Sequence, residues 1–299
     1  MNELSTAFTG VFTALVTPFD ENGIDYPAYD RLVELQIAAG IKGLVPVGTT
    51  GEAATLSPDE AAALIARTVK LAQGKAFVLA GAGSNNTSHA VEAARACEAA
   101  GADGCLVVTP YYNRPSQAGL ERHYDAIADA TGLPIMLYSV PGRCGVEIAP
   151  ETAATLAQRH SNIFGIKEAG GRAERISELR AACGPDFILH SGDDTLALPF
   201  MSVGALGVTS VVSNYAPEEM VALVSAWHRG DHATALALHD RIFAISKALF
   251  IEGNPVPVKE ALALRQQMSG SVRAPLAPLA PSSRTTLVAA LDRFAGAKK

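Results

Sequence analysis

The sequence predicts an α/β protein, a closed (β/α)8 TIM barrel followed by a C-terminal helical subdomain. Eight short apolar runs alternate with longer alanine-rich amphipathic runs at a spacing of roughly 20–35 residues, which is typical of consecutive βα units. The apolar runs are continuous rather than alternating, as expected for parallel strands that are covered on both faces. The length of 299 residues suits one barrel with an extension, since such a barrel typically needs about 250 residues.

Eight strands are predicted from the apolar, β-branched runs. They are residues 10–16, 43–47, 76–80, 104–108, 134–138, 163–167, 187–190 and 206–212. A doubly wound open sheet is the alternative arrangement for alternating strands and helices. It usually has fewer strands and a glycine fingerprint after the first strand, and this sequence has no such fingerprint.

A helical pattern follows each predicted strand. Ser57-Pro58-Asp59-Glu60 begins the second of these helices, because it supplies a serine N-cap, a proline at the first position and the spacing of a capping box. Glycines follow several other patterns, as expected just beyond helix ends. The other predicted helices are residues 26–39, 87–100, 116–131, 150–159, 172–182, 195–203 and 217–229.

The C-terminal part of the chain is predicted to be helical. The patterns cover residues 232–250, 256–267 and 285–294, and a proline-rich stretch at 274–281 separates the last two. These pieces are too small to fold alone. The predicted domains are therefore a barrel over residues 1–230, which carries the active site, and a subdomain over 231–299 that packs on the barrel.

Composition excludes several classes of function. The net charge is −6, and no concentrated basic patch suggests a nucleic-acid partner. No apolar run reaches the roughly 18 residues of a membrane span, and the N-terminus lacks the pattern of a signal peptide. The four cysteines form no C-x-x-C pair and have no zinc spacing with histidine. A cytoplasmic protein without a metal is predicted.

The active site of a (β/α)8 barrel lies at the carboxyl ends of its strands. Lys167 ends an otherwise apolar strand there. Burial would lower the pKa of this lysine, and a neutral amine can attack a ketone to form an imine. The alternative is a lysine salt-bridged to Glu168 or to a neighbour at the strand end. Tyr138 ends the preceding strand, about 4.8 Å away in a parallel sheet, where it could relay protons to Lys167 or simply belong to the core.

Two other strand ends carry groups that suit a carboxylate. Gly48-Thr49-Thr50-Gly51 offers two hydroxyls and backbone N–H groups, although it could also be an ordinary turn. Arg143 could hold a carboxylate through its guanidinium or lie in solvent. Asp193 and Asp194 are predicted to cap a helix or a turn rather than to bind a metal.

Six motifs, taken together, resemble the dihydrodipicolinate synthase/N-acetylneuraminate lyase superfamily over nearly the whole chain, and within it the synthase branch. They are Gly-Thr-Thr-Gly-Glu at 48–52, Tyr-Tyr-Asn-Arg-Pro at 111–115, Tyr-Ser-Val-Pro-Gly-Arg at 138–143, Gly-Ile-Lys-Glu-Ala at 165–169, Ser-Gly-Asp-Asp at 191–194 and Asn-Pro-Val-Pro-Val-Lys at 254–259. The first and fourth are specific to the superfamily, whereas the second and third point to the synthase branch.

The resemblance implies an imine between Lys167 and pyruvate. It implies that Thr50, with the backbone around Gly51, binds the pyruvate carboxylate. The resulting enamine would attack L-aspartate 4-semialdehyde, whose carboxylate Arg143 would receive. The implied product is 4-hydroxy-tetrahydrodipicolinate, in lysine and diaminopimelate biosynthesis. Two alternatives remain, namely another pyruvate-dependent aldolase of the superfamily and a catalytically silent barrel that binds a ligand.

Further expectations come from the same resemblance. Tyr138, Thr49 and Tyr112 would form a proton relay, with Tyr112 reaching in from a neighbouring subunit. The family is usually a homotetramer built from two tight dimers, and it needs neither a metal nor an organic cofactor. The implied partners are the two small-molecule substrates.

Three residues depart from the family pattern. Ser139 and Cys144 lie near the expected second substrate. Asparagine is frequent at the position of Ser139, and threonine or serine is frequent at the position of Cys144. Thr209, an expected pyruvate-site residue, stands where isoleucine is common.

A further departure concerns regulation. Asn85 and Tyr111 fit the pattern of family members that L-lysine inhibits, but His89 replaces a glutamate that would pair with the ammonium group of lysine. The other expected effector positions carry Ala53, Pro58 and Ala61. Weak or absent inhibition by L-lysine is therefore predicted.

Overall fold

Eight parallel strands close into the predicted barrel in the computed structural model, which describes residues 3–296. Each barrel strand pairs with the next one along the chain, and the last pairs with the first. The strands are β1 (Gly10–Ala14), β2 (Phe19–Asp20), β3 (Gly23–Ile24), β4 (Gly43–Val45), β5 (Phe77–Gly81), β6 (Gly104–Val108), β7 (Ile135–Ser139), β8 (Ile163–Glu168), β9 (Ile188–Ser191) and β10 (Gly207–Ser210). The β2–β3 pair is a short antiparallel hairpin outside the barrel, and it was not predicted.

Three of the predicted strands are two residues too long. The runs at 10–16, 43–47 and 206–212 end in the structure at Ala14, Val45 and Ser210. Residues beyond these ends, such as Leu15 and Val211, are buried in the turns. Apolar character therefore continues where the strand pairing has ended, and a sequence pattern cannot separate the two.

A helix follows each barrel strand, as predicted. The helices are α1 (Glu3–Phe8), α2 (Tyr26–Ala38), α3 (Pro58–Ala72), α4 (Thr87–Ala99), α5 (Gln117–Ala128), α6 (Pro141–Cys144), α7 (Pro150–Arg159), α8 (Glu174–Cys183), α9 (Ala197–Ser202), α10 (Pro217–His228), α11 (His232–Ala248), α12 (Val256–Leu264) and α13 (Pro281–Gly296). Two of them, α1 and the single turn α6, were not predicted.

The predicted capping box at the start of α3 is confirmed. The Ser57 hydroxyl accepts a hydrogen bond from the Glu60 N–H at 3.2 Å, and the Ser57 N–H donates to the Glu60 carboxylate at 2.8 Å. Glycine also follows α2 and α4 as predicted, since Gly40 and Gly101 both adopt a φ of +82°. Residues with a Cβ rarely adopt this conformation.

The barrel interior and the helix layer form two separate apolar cores. At the amino-terminal end of the strands, Phe8 from α1 stacks on Phe12 with ring centroids 4.4 Å apart, and it also contacts Phe77 and Phe164. These four rings, the aromatic plug, close one end of the barrel. Side chains at the opposite end are therefore left to form a cavity.

The C-terminal helices pack on the barrel and on each other. Helix α11 packs against α10 and α13. The helix predicted at 285–294 begins earlier, at Pro281, because proline suits the first turn of a helix. Within residues 3–296, no helix combines the length and the apolar character needed to cross a membrane.

Candidate active site

Two adjoining cavities open at the carboxyl ends of the barrel strands. They have volumes of about 220 and 280 Å³, and they share Thr49, Tyr138, Val140 and Arg143. The smaller one is also lined by Thr50, Lys167, Ala169, Gly192, Asp193, Thr195, Val211, Ser246, Lys247, Phe250 and Asn254. Most of the polar groups predicted at strand ends therefore meet in one place.

Lys167 lies at the centre of this arrangement. Its side chain is buried, and its strand register places it between Tyr138 on one side and His190 on the other. The Lys167 Nζ lies 4.2 Å from the centroid of the Tyr138 ring. Burial lowers the pKa of Lys167 to about 8, with an opposing effect from Asp194 and a smaller lowering effect from Arg143. At this pKa roughly a tenth of the amine is neutral at pH 7, far more than for a lysine in water.

Glu168 is not the partner of Lys167, so the expected pairing with Glu168 is wrong. Successive residues of a strand point to opposite faces, and the Glu168 carboxylate lies in the helix layer. There it accepts a hydrogen bond from the Gly170 N–H at 2.6 Å and lies 3.4 Å from Arg175. The strand thus separates an amine that lines the cavity from a carboxylate in the helix layer.

Tyr138 connects Lys167 with the 48–52 loop. Burial raises the pKa of Tyr138 to about 12, whereas Arg143 and a hydrogen bond with Thr49 act in the opposite direction. The phenol therefore keeps its proton at neutral pH. It can donate that proton in one hydrogen bond while accepting another, as a proton relay requires.

The 48–52 loop presents Thr49 and Thr50 to the cavity. The Thr50 hydroxyl accepts a hydrogen bond of 2.9 Å from the Asn254 side chain. The Gly51 N–H is used within the turn, where it donates to the Gly48 carbonyl at 3.0 Å. A Cβ at Gly51 would lie 3.1 Å from the Leu15 carbonyl oxygen, so a larger residue would disturb this packing.

A buried ion pair fixes the end of the same loop. Glu52 adopts a φ of +56°, and its carboxylate lies 2.6 Å from the Lys259 Nζ. Lys259 also donates to the Thr17 carbonyl at 2.8 Å, and the second Glu52 oxygen accepts from the Arg273 N–H at 2.9 Å. The C-terminal segment therefore holds the loop that carries Thr49 and Thr50.

Arg143 lies on the single turn α6, directly after β7. Its side chain is exposed and lines both cavities, and it donates one long hydrogen bond of 3.4 Å to the Asn254 carbonyl. Asn254 thus contacts both Thr50 and Arg143. Asn254 lies in the 254–259 motif, but the sequence indicates no role for it, because its neighbours are far away along the chain.

The predicted capping role is confirmed for Asp193, whereas Asp194 holds a distant loop. Asp193 accepts from the N–H and the hydroxyl of Thr195 at 2.8 and 2.7 Å. Asp194 is buried and accepts from the N–H groups of Val211 and Val212 at 2.9 and 3.2 Å. Burial raises the pKa of Asp194 to about 6. Neither belongs, among residues 3–296, to a group of three side chains that could hold a metal ion.

Tyr112 points away from its own cavity. Its side chain is 90% exposed, and its φ of +72° is unusual for a residue with a Cβ. The loop that carries Tyr112 is nevertheless anchored to two other segments. The Asn113 side chain donates to the Asn85 carbonyl at 2.9 Å, and Arg114 donates to the Gly145 carbonyl at 3.1 Å. Within one chain, Tyr112 and Tyr138 are not brought together.

Thr209 lies beside the site rather than in its lining. It is buried, and its hydroxyl is 3.2 Å from His190 Nδ1. His190 Nε2 lies 2.7 Å from the Phe8 carbonyl, so this nitrogen carries the proton and Thr209 donates to the other one. Burial lowers the pKa of His190 to about 4. Its pairing depends on α1, which was not predicted, so the sequence held no signal for it.

The two other departures from the family pattern are both buried. The Ser139 hydroxyl accepts from the Ile148 N–H at 3.4 Å. Cys144 lines the larger cavity, and it is free, as are Cys97, Cys105 and Cys183. Both departures therefore lie at the side of the site where Arg143 emerges.

Comparisons with known proteins agree along the length of the chain. A model of the Dihydrodipicolinate synthetase family matches residues 7–294. The 4-hydroxy-tetrahydrodipicolinate synthase of Nitratidesulfovibrio vulgaris (strain DP4) is 48% identical over 280 residues, which cover 94% of this chain and 96% of the relative. The enzyme of the same name from Pelobacter propionicus is 47% identical, with 96% of this chain and 99% of the relative covered.

A solved structure shows the same similarity in three dimensions. The 4-hydroxy-tetrahydrodipicolinate synthase of the thermoacidophilic methanotroph Methylacidiphilum fumariolicum SolV superposes with a TM-score of 0.95 at 46% sequence identity. The superposition covers 96% of each chain.

Proposed function

Because this chain belongs to the dihydrodipicolinate synthetase family, we propose that Lys167 is the residue on which its reaction takes place. The protein is a lyase of the Schiff-base aldolase type. It condenses pyruvate with L-aspartate 4-semialdehyde to 4-hydroxy-tetrahydrodipicolinate, in lysine and diaminopimelate biosynthesis. The observation that supports Lys167 is a buried amine with a lowered pKa in a cavity that Thr50 and Arg143 also line.

The reaction begins with attack of the neutral Lys167 amine on the ketone carbon of pyruvate. Loss of water gives a protonated imine, and loss of a methyl proton gives an enamine. The enamine carbon attacks the aldehyde carbon, and a proton reaches the new alkoxide oxygen. The substrate amine then displaces Lys167 by transimination, so that the product cyclises and the lysine is regenerated. These steps use no metal and no organic cofactor.

Tyr138 and Thr49 move the protons in these steps. The Tyr138 ring lies against the Lys167 amine, and its hydroxyl is hydrogen-bonded to Thr49. A phenol that keeps its proton can donate it to the leaving water and recover it from the next donor in the relay. Tyr112 of a neighbouring subunit completes the relay, in an assembly of two tight dimers.

Carboxylate binding divides between two parts of the site. Thr50 and the backbone around Gly51 bind the pyruvate carboxylate, with Asn254 orienting the Thr50 hydroxyl. Arg143 receives the carboxylate of the aldehyde substrate through its planar guanidinium, which can donate two parallel hydrogen bonds. Thr209 contributes to the pyruvate side through its packing next to His190. We place the enzyme in the cytoplasm.

L-Lysine inhibits this enzyme weakly or not at all. His89 is exposed and carries no negative charge, so it cannot form an ion pair with an incoming ammonium group. Ala53, which lines the larger cavity, has no side-chain donor for a carboxylate. Initial rates measured over a range of L-lysine should remain near the uninhibited value. Half-maximal inhibition below 1 mM, which corresponds to a binding free energy of about 4 kcal/mol, would contradict this.

The decisive experiment couples turnover to a downstream NADPH-dependent reductase. Wild-type enzyme with both substrates should oxidise NADPH steadily, whereas Lys167→Ala should not. Borohydride with pyruvate should add mass at Lys167 in the wild type. Lys75→Ala is a matched control, because Lys75 is an exposed lysine outside the cavity, and it should behave as wild type.

Two other outcomes would change the proposal. Trapping on Lys167 without use of L-aspartate 4-semialdehyde would indicate another pyruvate aldolase, with Ser139, Cys144 and Thr209 the first residues to examine. An unchanged rate in Lys167→Ala, or mass added at a different lysine, would show that the proposed nucleophile is wrong.

A further inference from the structure

A second group of charged side chains lies behind the active site, in the layer between barrel and helices. Arg175, at the start of α8, is 2% exposed. Three carboxylates lie within 4 Å of its guanidinium, namely Glu168 at 3.4 Å, Glu178 at 3.6 Å and Glu147 at 3.7 Å. Arg175 also donates to the Ile148 carbonyl. None of these side chains takes part in the reaction described above.

The partners of Arg175 belong to two different parts of the active site. Glu168 follows Lys167 directly on β8. Glu147 and Ile148 belong to the segment 145–149, which continues from the turn that carries Arg143. One buried guanidinium therefore connects the strand of the imine-forming lysine with the segment next to the proposed aldehyde-binding arginine.

Gly170 marks the point where the two carboxylates converge. A Cβ at this position would lie 2.6 Å from the Glu168 Oε1 and 2.9 Å from the Glu147 Oε1. The Gly170 N–H already donates to Glu168. A larger residue here would push the ends of both glutamate side chains aside, so the position of this loop is tied to the same charges.

Arg143 itself has little to hold it. Its side chain is exposed, and its hydrogen bond to the Asn254 carbonyl is 3.4 Å long. The direction of its guanidinium therefore depends on how firmly the backbone of α6 and the following segment is anchored. Gln117 ties that segment to α5 through two hydrogen bonds of 2.9 Å, and Arg175 ties it to β8.

We infer that Arg175 is a positioning residue for the second substrate, fixing the segment that carries Arg143 relative to the strand that carries Lys167. The inference rests on the proposed roles of Lys167 and Arg143. Stability alone does not explain such a group well, since buried ion pairs are often no more stabilising than apolar side chains of similar volume. The planar guanidinium of arginine can bridge several acceptors and fix their relative positions, which the single ammonium group of lysine cannot do.

The test compares KM and kcat for the two substrates in Arg175→Lys, which keeps the positive charge but loses the planar guanidinium. The KM for L-aspartate 4-semialdehyde should rise by about tenfold, because small displacements of a binding group are costly. The KM for pyruvate should stay within about twofold. Borohydride trapping of pyruvate on Lys167 should match the wild type. Arg180→Lys is the control, as Arg180 is an exposed arginine on the same helix.

Two further variants keep the test decisive if single changes fail to fold. Arg175→Met with Glu168→Gln removes both charges together, so neither is left buried alone, and it should show the same selective effect on the aldehyde. Gly170→Ala displaces the two carboxylates without changing any charge and should do likewise. Unchanged KM values, an equal rise in both, or loss of trapping together with aldehyde use would overturn the inference. Failure of trapping in the wild type would instead contradict the proposed function.

Discussion

At the scale of single residues, the site keeps a lysine in a place that disfavours its charge. Burial lowers the pKa of Lys167 from 10.5 to about 8. Between these two values the unfolded chain binds a proton that the folded protein does not, so stability rises with pH over that interval. Below pH 8 the folded protein carries the full cost of the buried ammonium group, which is on the order of 3 kcal/mol.

Replacing this lysine should therefore stabilise the protein while abolishing its activity. At pH 7, Lys167→Met should raise the free energy of unfolding by about 1–3 kcal/mol, since its apolar side chain needs no desolvation of charge. The difference from the wild type should shrink as the pH rises from about 8 towards 10.5. Urea denaturation at several pH values measures it. A variant less stable than the wild type at pH 7 would show that the amine is well solvated or well paired.

Asn254 is the residue-scale contact that joins the two carboxylate-binding groups. Asn254→Ala should raise the KM for pyruvate by roughly tenfold, because the Thr50 hydroxyl loses its donor and its orientation. Asn254→Asp should raise it further, since a carboxylate of similar shape would repel the substrate carboxylate. Steady-state kinetics with each variant measures this order. Equal effects of the two variants would mean that Asn254 acts only through packing.

The residues differ in how far the sequence could predict them. Lys167, Tyr138, Thr50 and Arg143 each end or follow an apolar strand, so strand position alone assigns them to one rim. Asn254 carries no such signal, because its contacts arise when the chain returns to the barrel after α11. The direction of Glu168, away from Lys167, follows from strand alternation, which also makes the salt-bridge alternative physically unfavourable.

At the scale of elements, the 48–52 loop and α12 depend on each other. The buried Glu52–Lys259 pair brings together a loop from the start of the barrel and a helix from near the end of the chain. Burial lowers the pKa of Lys259, and Glu52 opposes that effect. A buried charge without its partner is strongly unfavourable, so each member requires the other.

Removing one member of this ion pair should destabilise the protein more than removing both. Lys259→Met should destabilise the protein by about 3–5 kcal/mol, because Glu52 is left buried without its partner. Glu52→Gln combined with Lys259→Met should recover much of that loss. Denaturant unfolding of the two variants and the wild type measures the comparison. A double variant as unstable as the single one would show that packing around Lys259, rather than charge, is what matters.

Element boundaries were predictable where local chemistry decides them. The capping box fixes the start of α3 at Pro58, and the glycines after α2 and α4 fix their ends. Helix α1 was missed because its short sequence is stabilised mainly by Phe8 packing into the barrel, which is a tertiary contact. Strand ends were overestimated for a related reason, since buried turns are as apolar as the strands they follow.

At the scale of the whole molecule, barrel closure explains why residues far apart in sequence share one cavity. The aromatic plug fills the barrel at the amino-terminal ends of the strands, so the cavity lies at their carboxyl ends. The division into domains at residue 230 stays a prediction. Asn254 and Lys259 lie beyond that boundary and contact the site and its loop, so we expect the C-terminal segment to be needed for pyruvate binding.

The position of Tyr112 is best explained by an assembly of subunits. Its left-handed backbone costs about 1–3 kcal/mol, yet its side chain contributes nothing to the cavity of its own chain. The two residues that follow it, Asn113 and Arg114, are anchored by hydrogen bonds to the carbonyls of Asn85 and Gly145. A residue that enters the site of a second subunit needs a side chain that faces outward and a backbone that is fixed in one conformation.

Mixing two impaired variants tests this. Tyr112→Phe removes the proposed relay hydroxyl, and Lys167→Ala removes the nucleophile. In a hybrid dimer, one site would combine Lys167 of the first subunit with Tyr112 of the second, and random reassociation should regain up to about a quarter of the wild-type activity. If each site used the tyrosine of its own chain, every site in the hybrid would lack one of the two groups. The mixture would then be no more active than its components, and the reach of Tyr112 into a neighbouring site would be disproved.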